Sequence, residues 1–258
     1  MSAALCLTVD NLGSALAIGR GRAVRPDPDE PGLSVGLPAA LALFDELQVR
    51  ATFFVEGWNG IHHPAAIGSM LEHRHEVGLH GWVHERWAEL DDDRQETLLW
   101  DGTAALRLAG ADPRGFRAPG GYRGRRTARV LTELGYRYDS SIEKRTEDDP
   151  LRVHTLDGGL AVVPWHWQGN DYWQYVMHPD GGRSPAQVLD NWRRSLADAV
   201  LTNGLMTLTV HPFVSFTDAE RLHTLRRFLE EALSDPAVTV TSAAGLLDAC
   251  PPSAASRP

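Results

Sequence analysis

Residues 4–11 read ALCLTVDN, an apolar run that ends on Asp10 and Asn11. An uninterrupted run of this kind is typical of a β-strand that is buried on both faces. Asp10 and Asn11 would then stand at the carboxyl end of that strand. Seven further short runs of similar character follow, and we expect them to be strands: residues 51–55, 76–80, 115–117, 138–140, 160–165, 205–210 and 238–241.

Between these runs, apolar residues recur at the three- and four-residue spacing of amphipathic helices. The predicted helices cover residues 37–47, 63–73, 91–108, 127–134, 188–200 and 222–233. Alternating strands and helices indicate a mostly parallel sheet with helices packed outside it, and 258 residues is an ordinary length for one α/β barrel. We therefore expect a single barrel domain over residues 1–250 and a flexible tail over residues 251–258.

Residues 13–36 interrupt this alternation. They include the stretch GRGRAVRPDPDEPG, which shows little periodicity. A loop of this length within a compact domain is usually functional or disordered. Because it follows the first strand directly, we expect it to lie on the substrate side of the barrel.

Composition narrows the class of protein. A net charge of −9 argues against a protein that binds nucleic acid along its phosphates, which would carry a basic face. No apolar run is long enough to span a membrane. Cys6 and Cys250 lie at opposite ends of the chain and make neither a disulfide framework nor a thiolate metal site. The first residues also lack the features of a signal peptide, so we expect a cytoplasmic protein.

Polar and aromatic residues gather at the carboxyl ends of five predicted strands. In α/β barrels the active site lies at that end, so these side chains should converge. They are Asp10, Asn11, His80, His84, Arg117, Pro119, Trp165, His166, Asp171, His211 and Pro212.

His80 and His84 are four residues apart. On a helical turn they would share one face and could bind one cation, although two histidines at the edge of the core are the alternative. The strand that precedes them favours the metal site.

Asp10 could act as a general base beside a metal-bound water, or it could serve as an ordinary turn aspartate. Arg117 could hold the Asp10 carboxylate in place, or it could form a surface ion pair. His211 could protonate a leaving amine, or it could be satisfied by backbone groups. Nearby aromatic residues such as Trp82 and Trp165 could stack on a ligand or simply pack.

These motifs, in this order, resemble the polysaccharide deacetylase family, also called the NodB-homology family or carbohydrate esterase family 4. The similar stretches are LTVDN (7–11), ATFFVEGW (51–58), HGWVHE (80–85), FRAPGG (116–121), YRYDSS (136–141), VPWHWQGNDY (163–172) and LTVHPFVS (208–215). The resemblance extends over residues 4–245. It implies a distorted (β/α)7 barrel, a divalent metal that is usually zinc, and hydrolysis of an N-acyl bond.

The resemblance also implies roles for single residues. Asp10 takes the position of the family's base, His80 and His84 those of its metal-binding histidines, Arg117 that of its motif arginine, and His211 that of its acid.

One position departs from the family pattern. The family's second aspartate, a metal ligand, is replaced by Asn11, whose neutral amide is a weaker ligand. Asn11 could still bind the metal through its oxygen, Asp10 could move onto the metal, or the site could bind no metal. Substrate contacts are expected from residues beside the motifs: Trp82, Pro119, Tyr122, Trp165 and Asp171.

The motif forms and the long loop are most similar to the cytosolic branch of the family, which includes allantoinase-like and peptidoglycan deacetylase-like proteins. The leading hypothesis is a metal-assisted hydrolase of a small or soluble N-acylated substrate, with no nucleic-acid or membrane partner and compatible with a homo-oligomer. The alternatives are a metal-independent hydrolase of a cyclic amide or ureide, and a catalytically silent binding protein on the same barrel.

Overall fold

The computed structural model describes residues 3–142 and 151–249, so the expected tail and Cys250 lie outside the described residues. Within these ranges the strands are β1 (Ala3–Asp10), β2 (Thr52–Val55), β3 (Glu76–Leu79), β4 (Gly115–Phe116), β5 (Tyr138–Asp139), β6 (His154–Thr155), β7 (Ala161–Val162), β8 (Leu205–Val210) and β9 (Val238–Thr241).

The helices of the same ranges surround this sheet. They are α1 (Ser14–Gly19), α2 (Leu37–Glu46), α3 (Gly57–His62), α4 (Pro64–Glu72), α5 (Asp92–Leu108), α6 (Thr127–Leu134), α7 (Pro185–Thr202), α8 (Pro212–Ser215), α9 (Ala219–Ser234) and α10 (Ala243–Ala249). None of these helices is long and apolar enough to cross a membrane.

Seven strands of the described chain form a curled parallel sheet in the order β7-β5-β4-β3-β2-β1-β8. A single bridge between Asn170 and Thr209 joins the segment after β7 to β8 and brings the two edges together. β6 pairs antiparallel with β7, and β9 pairs with the first half of β1. The predicted distorted (β/α)7 barrel is confirmed.

The alternation of side chains along β1 explains where the site lies. Leu5, Leu7 and Val9 belong to the outer core, whereas Cys6 belongs to a second apolar cluster that includes residues of α10. Successive strand residues point to opposite faces, so Thr8 and Asp10 share the face of Cys6. The barrel interior is therefore apolar at one end and polar at the carboxyl ends of the strands.

Two local expectations are corrected. The segment 13–36 is not a continuous loop, because it contains α1 and a π-helical turn over Gly32–Gly36. The helix predicted over residues 188–200 is longer at both ends, because α7 runs over Pro185–Thr202.

Candidate active site

A cavity of about 360 Å³ opens at the carboxyl ends of the parallel strands. It brings together side chains that follow β1, β3, β4, β7 and β8, as the sequence predicts. The residues that line it are Asp10, Asn11, Leu16, Arg20, Arg22, His80, His84, Ala118, Gly120, Trp165, Trp167, Asn170, Tyr172, Met177, His211 and Phe213.

Arg117 lies inside the barrel directly beneath this cavity and is fully buried. Its Nη1 donates hydrogen bonds to Asp10 Oδ1 and to Thr8 Oγ1, each at 2.8 Å. A buried charge is tolerated when it is paired and hydrogen-bonded. The guanidinium therefore holds the carboxylate of Asp10 in one position.

The remaining donors of Arg117 are also used. Nε donates to the carbonyl oxygen of Ser140 at 3.2 Å, and Nη2 donates to Ser140 Oγ at 2.8 Å. The guanidinium carbon lies 4.4 Å from the centre of the Phe54 ring, an arrangement that favours a cation. Because so many partners hold it, Arg117 acts as a rigid support rather than as a surface ion pair.

His211 is held by a second carboxylate. Its Nδ1 donates to Asp171 Oδ1 at 2.6 Å, and its backbone N–H donates to Asp171 Oδ2 at 2.9 Å. Ser215 Oγ also donates to Asp171 Oδ2. Burial lowers the pKa of His211, but the charge and hydrogen bond of Asp171 outweigh burial and raise it above its ordinary value. The Nε2 atom is left for a ligand in the cavity.

His80 and His84 form the opposite part of the cavity floor. Their ring centres are 5.0 Å apart. The Nδ1–H of His80 donates to the carbonyl oxygen of Arg117 at 2.8 Å, so Nε2 is the acceptor that remains. Burial lowers the pKa of both imidazoles to about 3. Both rings are therefore neutral near pH 7, which is the form that binds metals or accepts a hydrogen bond.

The expected helical turn between the two histidines is wrong. Residues 81–83 form a turn, and His84 adopts a left-handed backbone conformation with φ of 59°. The Glu85 carboxylate holds this turn by accepting hydrogen bonds from the N–H groups of Trp82 and Val83.

Asn11 also adopts a left-handed conformation, with φ of 57°. Its Oδ1 accepts a hydrogen bond from the Gly13 N–H at 2.7 Å. Over the described ranges no group of three His, Cys, Asp or Glu side chains is placed to hold a metal ion. A catalytic zinc site uses three protein ligands. Two imidazoles and a neutral amide oxygen do not match the histidine, cysteine and carboxylate ligands of such a site, so we derive no catalytic step through a metal.

Of the five residues expected to contact substrate, Trp165 lines the cavity. Asp171 does not reach it, because it is fully buried and its oxygens are used by His211 and Ser215. The placement changes its role from a substrate contact to a support for His211.

The other three residues expected to contact substrate, Trp82, Pro119 and Tyr122, do not line the cavity. The Trp82 ring packs over Gly57, and Pro119 packs over Gly81. Tyr122 is 47% exposed. Loop packing, which the motifs do not encode, directs these side chains away.

Sequence reasoning missed Glu56, which is fully buried directly after β2. Asn59 Nδ2 donates to its Oε2 at 2.8 Å, whereas Oε1 has no partner in the described structure. Burial raises the pKa of Glu56 to about 8. The signal was present in the sequence, since Glu56 ends an apolar strand just as Asp10 does.

Comparisons with known proteins agree with the barrel fold and with the family resemblance of the motifs. The sequence profile described as polysaccharide deacetylase matches residues 29–138. A crystal structure from Mycobacterium smegmatis, assigned as a polysaccharide deacetylase, is 30% identical, covers 96% of this chain and 90% of that chain, and has a TM-score of 0.82. An allantoinase structure superposes with a TM-score of 0.78 at 20% identity over 96% of this chain and 91% of its own, a likeness of fold alone.

Among curated relatives, a peptidoglycan deacetylase-like protein of Gibberella zeae is 31% identical over 194 residues. The match covers 73% of this chain but 55% of the relative, so the chain spans about half the length of that protein.

The fold and the site together define a seven-stranded α/β-barrel protein with two charge-paired groups at the carboxyl ends of its strands. The chain belongs to the polysaccharide deacetylase family.

Proposed function

We propose that this protein hydrolyses a C–N bond, other than a peptide bond, in a small or soluble N-acylated substrate. The observation that carries the proposal is the pair of supported groups on one cavity: Asp10 held by Arg117, and His211 held by Asp171. In this proposal Asp10 takes a proton and His211 gives one.

The reaction follows from these two groups. Asp10 removes a proton from a water molecule, and the oxygen of that water attacks the carbonyl carbon of the amide. As the C–N bond breaks, His211 gives a proton to the departing nitrogen. The products are a carboxylic acid and an amine. The acceptor nitrogen of His80 is suited to hold the second hydrogen of the attacking water.

The named relatives support this class of reaction. The proteins of Helicobacter pylori, Saccharomyces cerevisiae and Bacillus cereus that match this chain are named as deacetylases of peptidoglycan or chitin. Removal of an acetyl group from an amine is hydrolysis of an amide C–N bond.

A cation bound by His80 and His84 is the second candidate, and zinc is the metal that the family resemblance favours. Two neutral imidazoles on one wall support it. Asn11, which lines the same cavity, would be the third donor only if its oxygen also accepted the cation. A bound cation would polarise the substrate carbonyl.

The test is turnover of N-acetylated compounds by purified protein before and after exhaustive chelation. We expect turnover to survive chelation and to be lost in the Asp10→Asn variant. Turnover that returns only when zinc is added would establish the second candidate. Ligand binding without hydrolysis of any amide would establish the catalytically silent protein and overturn the proposal.

A further inference from the structure

Two arginines stand at the mouth of the cavity. α1 ends at Gly19, and the chain then folds back through hydrogen bonds from the Gly21 N–H to Ile18 O and from the Arg22 N–H to Ala17 O. Gly21 has φ of 65°, a conformation that glycine adopts without strain. This turn places Arg20 and Arg22 on either side of Gly21, and both line the cavity.

Neither guanidinium has an acidic partner among the residues that the structure describes. Within residues 3–142 and 151–249, no carboxylate lies within 4.0 Å of the side-chain nitrogens of Arg20 or Arg22. Some exposed arginines elsewhere, such as Arg129 and Arg227, each pair with a glutamate. Among the described residues that line the cavity, Asp10 is the one with a carboxylate, and it is already paired with Arg117.

Within the described part of the chain, the mouth therefore carries two positive charges without a nearby carboxylate, in a protein whose net charge is −9. That net charge disfavours a long polyanion, which would be repelled by the rest of the surface. It does not disfavour a small ligand with one anionic group, because the local charge acts at short range and distant charges are screened by salt.

Aromatic rings form much of the remaining wall. Trp165 and Trp167 have ring centres 4.9 Å apart, and Tyr172 and Phe213 have ring centres 6.2 Å apart. Such surfaces pack against a flat or ring-shaped ligand body. The planar guanidinium binds carboxylate and phosphate oxygens through paired hydrogen bonds.

We infer that the substrate of this site carries an anionic group, a carboxylate or a phosphate, on the ring-like body that bears the scissile amide, and that Arg20 and Arg22 bind that group. The inference rests on the proposed function, because it assumes that the substrate occupies this cavity. It makes the two arginines determinants of specificity rather than catalytic residues.

The experiment compares three proteins: the wild type, the double variant Arg20→Gln/Arg22→Gln, and the control Arg25→Gln. Arg25 is an exposed arginine of the same segment that does not line the cavity. Binding is measured by titration calorimetry with N-acetylglucosamine as the neutral probe, N-acetylmuramic acid as the carboxylate probe and N-acetylglucosamine 6-phosphate as the phosphate probe.

We expect the wild type to bind at least one anionic probe about five- to tenfold more tightly than the neutral probe. The double variant should lose this preference, and the Arg25→Gln variant should keep it. The anion that binds more tightly identifies the chemical group. For a probe that is hydrolysed, the double variant should raise KM and leave kcat unchanged.

Equal binding of neutral and anionic probes by the wild type would overturn the inference. An anion preference that survives in the double variant would do the same. Because binding and hydrolysis of the probes are measured in separate assays, the two proposals can fail separately. Arginine-dependent binding without hydrolysis would contradict the proposed function alone, whereas hydrolysis without any anion preference would contradict this inference alone.

Discussion

The cavity has two polar parts, which differ in whether their buried polar atoms have hydrogen-bond partners. The proton-transfer part consists of Asp10 and His211 with their partners, and the imidazole part consists of His80 and His84. In the proton-transfer part, Asp10 is bonded to Arg117 at 2.8 Å and His211 to Asp171 at 2.6 Å. In the imidazole part, His80 has a partner, but the buried Nδ1 of His84 has none in the described structure.

This difference favours one of the two proposed chemistries, proton transfer, over the other, metal binding. Paired and hydrogen-bonded charges stay in one geometry, so their proton transfers need no rearrangement. The imidazole part has the neutral rings of a metal site without its carboxylate, because Asn11 stands in that place. Proton transfer is therefore the better supported of the two functions.

The largest effect should come from Asp10→Asn. The amide keeps a hydrogen-bond acceptor for Arg117 but cannot take a proton from water, so kcat should fall about 10²- to 10⁴-fold. Initial rates with an N-acetylated substrate measure this effect. The matched control is Asp45→Asn, at an exposed aspartate that contacts His73, which should keep wild-type rates. A rate within tenfold of wild type would remove Asp10 as the base.

Asp171→Asn should have the next largest effect on activity. Burial lowers the pKa of His211 and the Asp171 carboxylate raises it, so loss of the carboxylate charge should lower that pKa. His211 must hold a proton to act as an acid, so the alkaline limb of the pH–rate profile should move to lower pH. We expect the rate at pH 8 to fall about ten- to a hundredfold, and the loss to be smaller at pH 6. An unshifted alkaline limb would contradict the role of the pair.

Asn11→Asp tests the imidazole part. Aspartate tolerates the left-handed conformation of residue 11, and one carboxylate oxygen can accept the Gly13 N–H while the other is free for a cation. Calorimetric titration with zinc should show at least about tenfold tighter binding than the wild type. Equal affinity would mean that residue 11 does not decide whether this site holds a metal.

Among the four substitutions, Glu56→Gln should have the smallest effect. This effect should be on the stability of the folded protein. Glu56 is a buried carboxyl group without an arginine partner, so its pKa is raised by burial from 4.5 in the unfolded chain to about 8. At a pH between these two pKa values, the Glu56 carboxyl group has lost its proton in the unfolded chain but still holds it in the folded protein. The contribution of Glu56 to stability therefore decreases as the pH rises from about 4.5 to 8, and it is constant above that.

Glutamine does not titrate, so the variant should lose this pH dependence. The decrease in Tm between pH 5 and pH 8 should be smaller than in the wild type by roughly 3–6 °C, measured by thermal melting. Glu89→Gln, at an exposed glutamate, is the control and should behave like the wild type. Parallel Tm curves for the Glu56 variant and the wild type would show that Glu56 is not held in its neutral form.

Much of the fold could be predicted because strands leave a local signal. The apolar run before Asp10 and the similar runs before His80 and His211 identify buried strands, and their regular alternation with helices predicts the barrel. Helix boundaries were predicted less accurately than strand positions, as the extension of α7 beyond the predicted residues 188–200 shows. Capping and fraying at helix ends leave a weaker signal than a long apolar pattern.

Side chains beyond the strand ends were harder to predict. Trp82 and Asp171 are close in sequence to motif residues, yet one packs over Gly57 and the other lies beneath His211. Arg20 and Arg22 belong to no motif. Only the conformation of their turn places them on the cavity. Their positions depend on loop conformation, which long-range contacts fix.

The sequence by itself determined that polar groups end the strands of one barrel and that an amide replaces a carboxylate at residue 11. The first follows from the order of residues along the chain, because a parallel sheet brings the carboxyl ends of its strands to one side. The second follows from the resemblance of the LTVDN stretch at residues 7–11 to the motif of the family. Only the tertiary structure decided which of those groups are partners. Arg117 meets Asp10 across 107 positions of sequence, and Asp171 meets His211 across 40. Partners so far apart in sequence meet only when the barrel has formed, since no local pattern records which distant side chain a buried group will contact.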